Sequence, residues 1–331
     1  MNKLVELPLV EPIYSTYQYQ GSASAVLSSN PSIRNWYLNQ IFILTCNRKF
    51  LRGFTSPQVS IKESTWGTNP YLEKQWFNME FLKGYSRYVI HYLIDAGFYV
   101  TFNGIDDYYM QGKCFYHERH FKHDGLICGY NRDEKTYCLY GYDSNWIYRK
   151  FWMPQHCFEE GRRSMFKEGI YGMLCGIRPK ETQVDFSCET AITTMKNYLN
   201  STMELYPEES DEPVYGIVVH SYLAKYIGML YDGSIPYEKM DKRVLRLIWE
   251  HKRVMQERLL RIEESLGWRP EISEQYQRVV KESNDLRMLY AAYHMKRRDS
   301  VLPTIQKGLL NIGNTEERLL HELLDKYERK L

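Results

Sequence analysis

Residues 120–154 read HFKHDGLICGYNRDEKTYCLYGYDSNWIYRKFWMP, and this stretch sets the reading of the whole chain. His123 opens an apolar run that ends at Tyr130, a charged turn occupies Asn131 to Lys135, and a second run from Thr136 closes on Asp143. Trp146 to Trp152 reads as a third strand. Two antiparallel strands joined by a short polar turn place their far ends side by side. His123 and Asp143 are therefore expected to meet. A carboxylate beside an imidazole fixes its tautomer and stabilises the imidazolium, which is what a general base requires.

Working upstream, residues 98–102 (FYVTF) read as a strand preceded by a helix, FLKGYSRYVIHYLIDAG, stopped by Gly97. Phe81, Tyr85, Tyr88, Val89 and Tyr92 share one face of that helix. Residues 50–72 are rich in Gly, Pro, Ser and Thr and read as loop. Residues 32–45 carry Ile33, Trp36, Tyr37, Ile41 and Leu44 at roughly helical spacing, although QIFILT also suits a strand. Small residues from Gly21 to Ala25, followed by Val26 and Leu27, indicate a closely packed buried helix ended by Asn30 and Pro31. Residues 1–14 look extended.

Downstream, GIYGMLCGIRP is a fourth strand, and the polar segment Lys180 to Ser187 marks a boundary. Beyond it Val244, Ile248, Met255, Leu259, Ile262 and Leu266 form one stripe of a helix, and Ile272 to His294 and Thr315 to Tyr327 repeat the habit. Asn314 or Thr315 is the expected N-cap of the last helix. The run Glu250–His251–Lys252 reads as a salt-bridged surface face, with Arg243, Arg246, Lys252 and Arg253 as a basic side open to docking. The fold class expected is α+β: a domain with an antiparallel sheet over residues 1–180, then a mostly helical domain over 181–331.

The chain has 331 residues, enough for a substantial core, and 43 Lys plus Arg against 41 Asp plus Glu leave a net charge of +2. That balance gives no general attraction to nucleic acid or membrane, and neither is expected as a partner. No apolar run approaches membrane-spanning length. The N-terminus, interrupted by Glu6, Pro8 and Glu11, makes a poor signal peptide, and the seven scattered cysteines show no CxxC pair. A reducing cytoplasm is the expected setting.

The segments YQYQGSASAVLSSNPSIRNWYLN, HDGLICGY and LYGYDSNW together resemble the N-terminal domain of butirosin biosynthesis protein H and its relatives near peptide-synthetase clusters. DKRVLRLIWEHKRVMQERL looks like the helical tail of such proteins. The resemblance implies a papain-like fold and an acyl group passed from a carrier-protein thioester, through an enzyme cysteine, to a small-molecule amine or peptide acceptor. An acyl- or peptidyl-carrier protein is the partner it implies. His123 matches the family histidine and Asp143 the family acid. The sequence departs from the pattern at the nucleophile: the family cysteine falls at Gln18, which has no nucleophilic atom.

Three readings of that departure stand at the level of sequence. Ser22 or Ser24 replaces the cysteine, given a base and an oxyanion hole, with Gln18 then six residues before Ser24 where an oxyanion-hole glutamine suits such enzymes. Alternatively both serines are packing residues and the chain is a non-catalytic member that binds a carrier protein or an acyl peptide. A relocated nucleophile at Cys46 is the third, set against a plain buried thiol. Cys114, His117, His120 and His123 recur every three residues, but neither helix nor strand converges that spacing on one zinc ion. A loop would be needed, and no metal or cofactor is expected.

Overall fold

The computed structural model describes residues 3–53, 56–62, 69–82, 84–201 and 213–330. It is an α+β chain, about 51% helical and 19% strand, with an antiparallel sheet and a helical C-terminal region. Two compact units are present: Met1–Arg34 with Ser64–Gln183, and Asn35–Glu63 with Val184–Leu331. The second unit is thus discontinuous, since it takes in a segment from the N-terminal part of the chain as well as everything beyond the polar stretch after Lys180.

The first unit contains β1 (Leu4–Glu6), α1 (Gln18–Leu27), β4 (Leu72–Asn78), α3 (Ser86–Asp95), β5 (Tyr99–Asp106), β6 (Lys122–Asn131), β7 (Thr136–Tyr142), β8 (Tyr148–Pro154), α4 (Gln155–Lys167) and β9 (Met173–Pro179). Its sheet runs in the order β4-β9-β5-β6-β7-β8, and β1 pairs with the end of β6 at Leu4↔Asn131, beyond the reach of β5. The β6–β7 hairpin is the one expected from the alternation and the polar turn, paired from Asn131↔Thr136 to Leu126↔Tyr140. Leu126, Ile127, Cys128 and Tyr130 are all buried, because β6 is a central strand covered on both faces. The core beneath the sheet joins Ile90, Leu93 and Ile94 of α3 and Phe158 of α4 to Val100, Phe102, Ile127, Tyr137 and Leu174 of the strands.

Helix α1 lies against β6, β7 and β9. Its small residues are there for clearance: a Cβ at Gly21 would stand 2.6 Å from the Tyr148 hydroxyl. Helix α3 departs from expectation. It is shorter, and the aromatic face is its outer one, with Phe81, Tyr85, Tyr88 and Tyr92 at 81%, 66%, 60% and 71% exposure. The aliphatic set Ile90, Leu93 and Ile94 also recurs at helical spacing and buries without a hydroxyl to satisfy, so it wins the core.

The second unit holds α2 (Ile33–Gln40), the sheet β10-β2-β3 built from β2 (Ile43–Asn47), β3 (Ser60–Lys62) and β10 (Pro213–Tyr215), and helices α5 (Cys188–Leu199), α6 (Val219–Tyr231), α7 (Val244–Ser265), α8 (Glu271–Lys296) and α9 (Leu302–Glu328). Segment 32–45 is thus both helix and strand in succession. The expected loop 50–72 contains β3 and the start of β4, and its residues 54, 55 and 63–68 lie outside the described ones. Helix α9 does not begin at Asn314 or Thr315. It runs through them, because Ile305, Leu309, Ile312, Leu319 and Leu323 form one uninterrupted buried stripe.

The basic docking face on α7 is not what the fold makes. Lys252 is fully buried and pairs with Glu316 at 2.5 Å. Arg243 is held by Asp241, Arg246 by Glu250, and Arg253 lies over the Trp249 ring. His251 is buried too and donates through Nε2 to the Phe42 carbonyl at 2.7 Å.

Candidate functional site

The site begins with two adjacent acids that end β5 and start a short 3-10 turn. Asp106 and Asp107 are both fully buried. The β5–β6 ladder pairs Asp106 with Lys122 and Ile105 with His123, after an irregularity at Gly104, whose φ of +70° suits glycine. That register brings the imidazoles of the His-rich run onto the acids. His120 Nδ1 meets Asp106 Oδ2 at 2.7 Å, and Ser164 donates to the same oxygen at 2.8 Å.

His123 meets Asp107. Its Nδ1–H donates to Asp107 Oδ2 at 2.6 Å. Lys113 Nζ donates to Asp107 Oδ1 at 2.9 Å and to the Asp124 carbonyl at 3.0 Å, and stands 3.2 Å from His123 Nδ1. Burial works to raise the Asp107 carboxyl, but the Lys113 cation and the His123 hydrogen bond outweigh it and hold Asp107 below the usual carboxylate range. With Nδ1 carrying the proton, Nε2 is the basic atom. It lies 3.4 Å from Asp124 Oδ1, on a side chain that keeps 24% of its surface in solvent.

Asp143 is not the partner of His123. Continued beyond Leu126↔Tyr140, the hairpin register would set the two residues opposite one another, but the Asp143 carboxylate turns into its own loop. It accepts from the backbone of Asn145 at 2.8 Å and Ile147 at 2.9 Å, and from Arg149 Nε at 2.5 Å. Burial opposes its ionisation, yet these donors keep the carboxyl below its ordinary range. The loop needs that anchor, since Trp146 takes a left-handed φ of +60°.

The ladder stops where it does because Gln18 enters it. At the start of α1 the Gln18 side-chain amide donates through Nε2 to the Asp124 carbonyl, and Oε1 accepts from Tyr142 N at 3.4 Å. A side-chain amide carries one acceptor and donors in the same plane as a peptide, so Gln18 substitutes for the missing rung between β6 and β7. Gly141 leaves room for it; a Cβ there would lie 2.9 Å from Gln18 Oε1.

Neither serine stands against the imidazole. Ser24 is buried and donates to the carbonyls of Tyr14 (3.2 Å) and Gly21 (3.3 Å). Ser22 is buried beside the Tyr148 hydroxyl, and neither oxygen makes a well-formed hydrogen bond. Cys46 belongs to the second unit, where burial pushes its thiol up to about 12, against a smaller opposing pull from Arg48; it is a protonated packing residue. Among the described residues no group of three or more His, Cys, Asp or Glu side chains is placed to hold a metal ion. Cys114, raised to about 11 by burial and by the Asp107 charge, His117 stacked on Tyr116, His120 on Asp106 and His123 on Asp107 go separate ways.

A cleft of about 200 Å³ lies beside this cluster, lined by Tyr19, Ser22 and Ala23 of α1, Thr101 to Asn103 of β5, Asp124 and Gly125 of β6, and Ile177 of β9. The arrangement has the parts for acid–base work: an oriented imidazole whose Nε2 faces the Asp124 carboxylate at 3.4 Å, and a concave surface that Asp124 lines. The sequence reading missed Asp107 and Lys113. The doublet Asp106–Asp107 closing a β-strand just ahead of a His-rich run was the available signal. No protein-family model matches the chain, and no curated protein matches it. Among the described residues no helix is long and apolar enough to cross a membrane.

Proposed function

We propose that the first unit has a papain-like layout and acts on an acyl or peptidyl thioester, or an amide, of the kind borne by a carrier protein in natural-product assembly. In this reading it is kin to the butirosin protein H-like acyltransferases but forms no acyl-enzyme. His123 is the general base, Asp107 its orienting partner, and Lys113 the buried counter-charge of Asp107. The observation that carries the proposal is the 2.6 Å contact of His123 Nδ1 with Asp107, which turns Nε2 toward Asp124, a residue of the cleft wall.

The transfer is direct. An acceptor amine attacks the thioester carbonyl, the C–N bond forms and the C–S bond breaks. The amine proton goes to His123 Nε2 and from there to the departing thiolate. No protein nucleophile is required, in keeping with Gln18 at the helix start. General-base assistance of this kind is worth roughly 10²–10⁴-fold in rate.

The Gln18 rung favours a second reading, in which the chain only binds the carrier or its cargo and catalyses nothing. An acyl-carrier thioester and a primary amine, incubated with the protein, separate the two. Direct transfer gives amide product, unchanged protein mass and loss of product in His123→Ala. Tight carrier binding with no product leaves the scaffold. A covalent adduct on the protein would contradict both.

A further inference from the structure

The cleft beside His123 has a composition that the acyl-transfer reading does not use. Asp124 supplies a carboxylate whose side chain is 30% exposed. Among the described residues no lysine or arginine lies within ion-pair reach of it; its side-chain neighbours are Gln18 Nε2 and His123 Nε2, each 3.4 Å away. One aromatic residue with an exposed ring, Tyr19, at 45% exposure, lines the same space. Ser22 also lines the wall, with its hydroxyl oxygen buried against Tyr148. Ala23 and Ile177 complete an apolar lining.

A carboxylate with no lysine or arginine beside it and an exposed aromatic ring together suit an organic cation. The carboxylate gives charge and the Tyr19 ring gives cation–π attraction. We propose that this cleft binds a small alkylammonium compound, with Asp124 as its counter-ion and the Tyr19 ring against the cationic head. At about 200 Å³ the space is below the usual range for drug-sized ligands, which begins near 300 Å³, so the ligand is a short amine and not a peptide. Binding stands on the cleft alone. That the bound amine is also the acceptor rests on the general-base reading above: the ammonium held at Asp124 gives one proton to solvent before attack, and the proton released on attack passes through His123 Nε2 to the departing thiolate.

Butylamine and butan-1-ol are matched in size and differ in charge at pH 7. Titrated into the whole protein and followed by calorimetry or by ligand-observed NMR, butylamine binds and butan-1-ol binds at least about tenfold more weakly. Asp124→Asn, checked for fold by circular dichroism, loses that preference, and Tyr19→Ala weakens butylamine binding severalfold. Equal affinity of the amine and the alcohol for the unaltered protein overturns the proposal, whatever the variants do. Selective binding with no acyl transfer to butylamine retains the cation site and removes only the acceptor role.

Discussion

At the scale of single residues, the central assignment is the choice between two acids for His123. Asp107 holds the imidazole nitrogen and Asp143 holds a turn, so their conservative variants separate cleanly. Under the proposed function, Asp107→Asn removes the charge that stabilises the imidazolium and lowers acyl transfer by about as much as His123→Ala, some 10²–10⁴-fold. Asp143→Asn leaves transfer and its pH profile unchanged and lowers only the melting temperature. A rate loss in Asp143→Asn equal to that in Asp107→Asn would return the role to the hairpin acid. Asp107→Asn also strands Lys113, a buried cation, and is expected to destabilise the fold by about 3–5 kcal/mol. Lys113→Met in that background restores most of the loss, because two uncharged groups then replace one orphaned charge. Urea unfolding of the single and double variants measures that coupling.

At the scale of elements, α1 and the β6–β7 hairpin are one device. Gln18→Ala breaks a rung made to both strands and costs about 1 kcal/mol, since it removes one hydrogen bond from the Asp124 carbonyl, which keeps Lys113, and one from the Tyr142 N–H. Gln18→Cys is the more telling change. It puts a thiol at the helix start, close to the residue whose carboxylate faces His123 Nε2, where an imidazole base and the helix N-terminus favour the thiolate. The expected outcome is rapid labelling by iodoacetamide at neutral pH, abolished by His123→Ala, together with an acyl adduct from the carrier thioester. A Gln18→Cys protein whose new thiol labels no faster than a cysteine in an unfolded peptide removes the papain-like reading of this seat.

The hairpin, its register and the small-residue helix were legible because each depends on neighbours in sequence: alternation, a polar turn, a run of residues too small to keep helices and strands apart. What was illegible depended on loop geometry or on partners far along the chain. Alternation does not encode that Asn145, Ile147 and Arg149, all within six residues of Asp143, outbid an imidazole for it. The tyrosines of α3 have the right period and the wrong face, because period gives a stripe without saying which of two stripes is buried. Helix α9 was cut short by reading NTEERLL as a start, although Glu316 in it is buried by a lysine 64 positions earlier.

At the scale of the whole molecule, the second unit is built around ions and not only around its aliphatic stripes. Lys252 pairs with Glu316, which also accepts from Tyr198 at 2.9 Å and from Tyr276. His220 donates through Nδ1 to the Ile217 carbonyl at 2.9 Å and faces Glu316 with Nε2, 3.7 Å away and without a hydrogen bond. Arg258, fully buried, is held by the carbonyls of Leu38 and Tyr37 and by the Phe42 ring. This is why residues 35–63 belong with the C-terminal helices. Burial, reinforced by the Lys252 charge, pulls His220 down to about 4, and the same two causes lower His251. Glu316, despite burial, is held below its ordinary range by Lys252. All three groups therefore bind fewer protons folded than unfolded as the solution is acidified. For His220 the stabilisation is complete above its unfolded pKa of about 6.5 and is lost as pH falls through about 4. That difference amounts to about 3 kcal/mol from this one group. The urea midpoint of the protein, followed by tryptophan fluorescence, should accordingly fall steadily from pH 6.5 to pH 4. His220→Phe, which cannot charge, should flatten that fall, while a midpoint independent of pH across this window in the unaltered protein would mean that the histidines are not held neutral inside the unit.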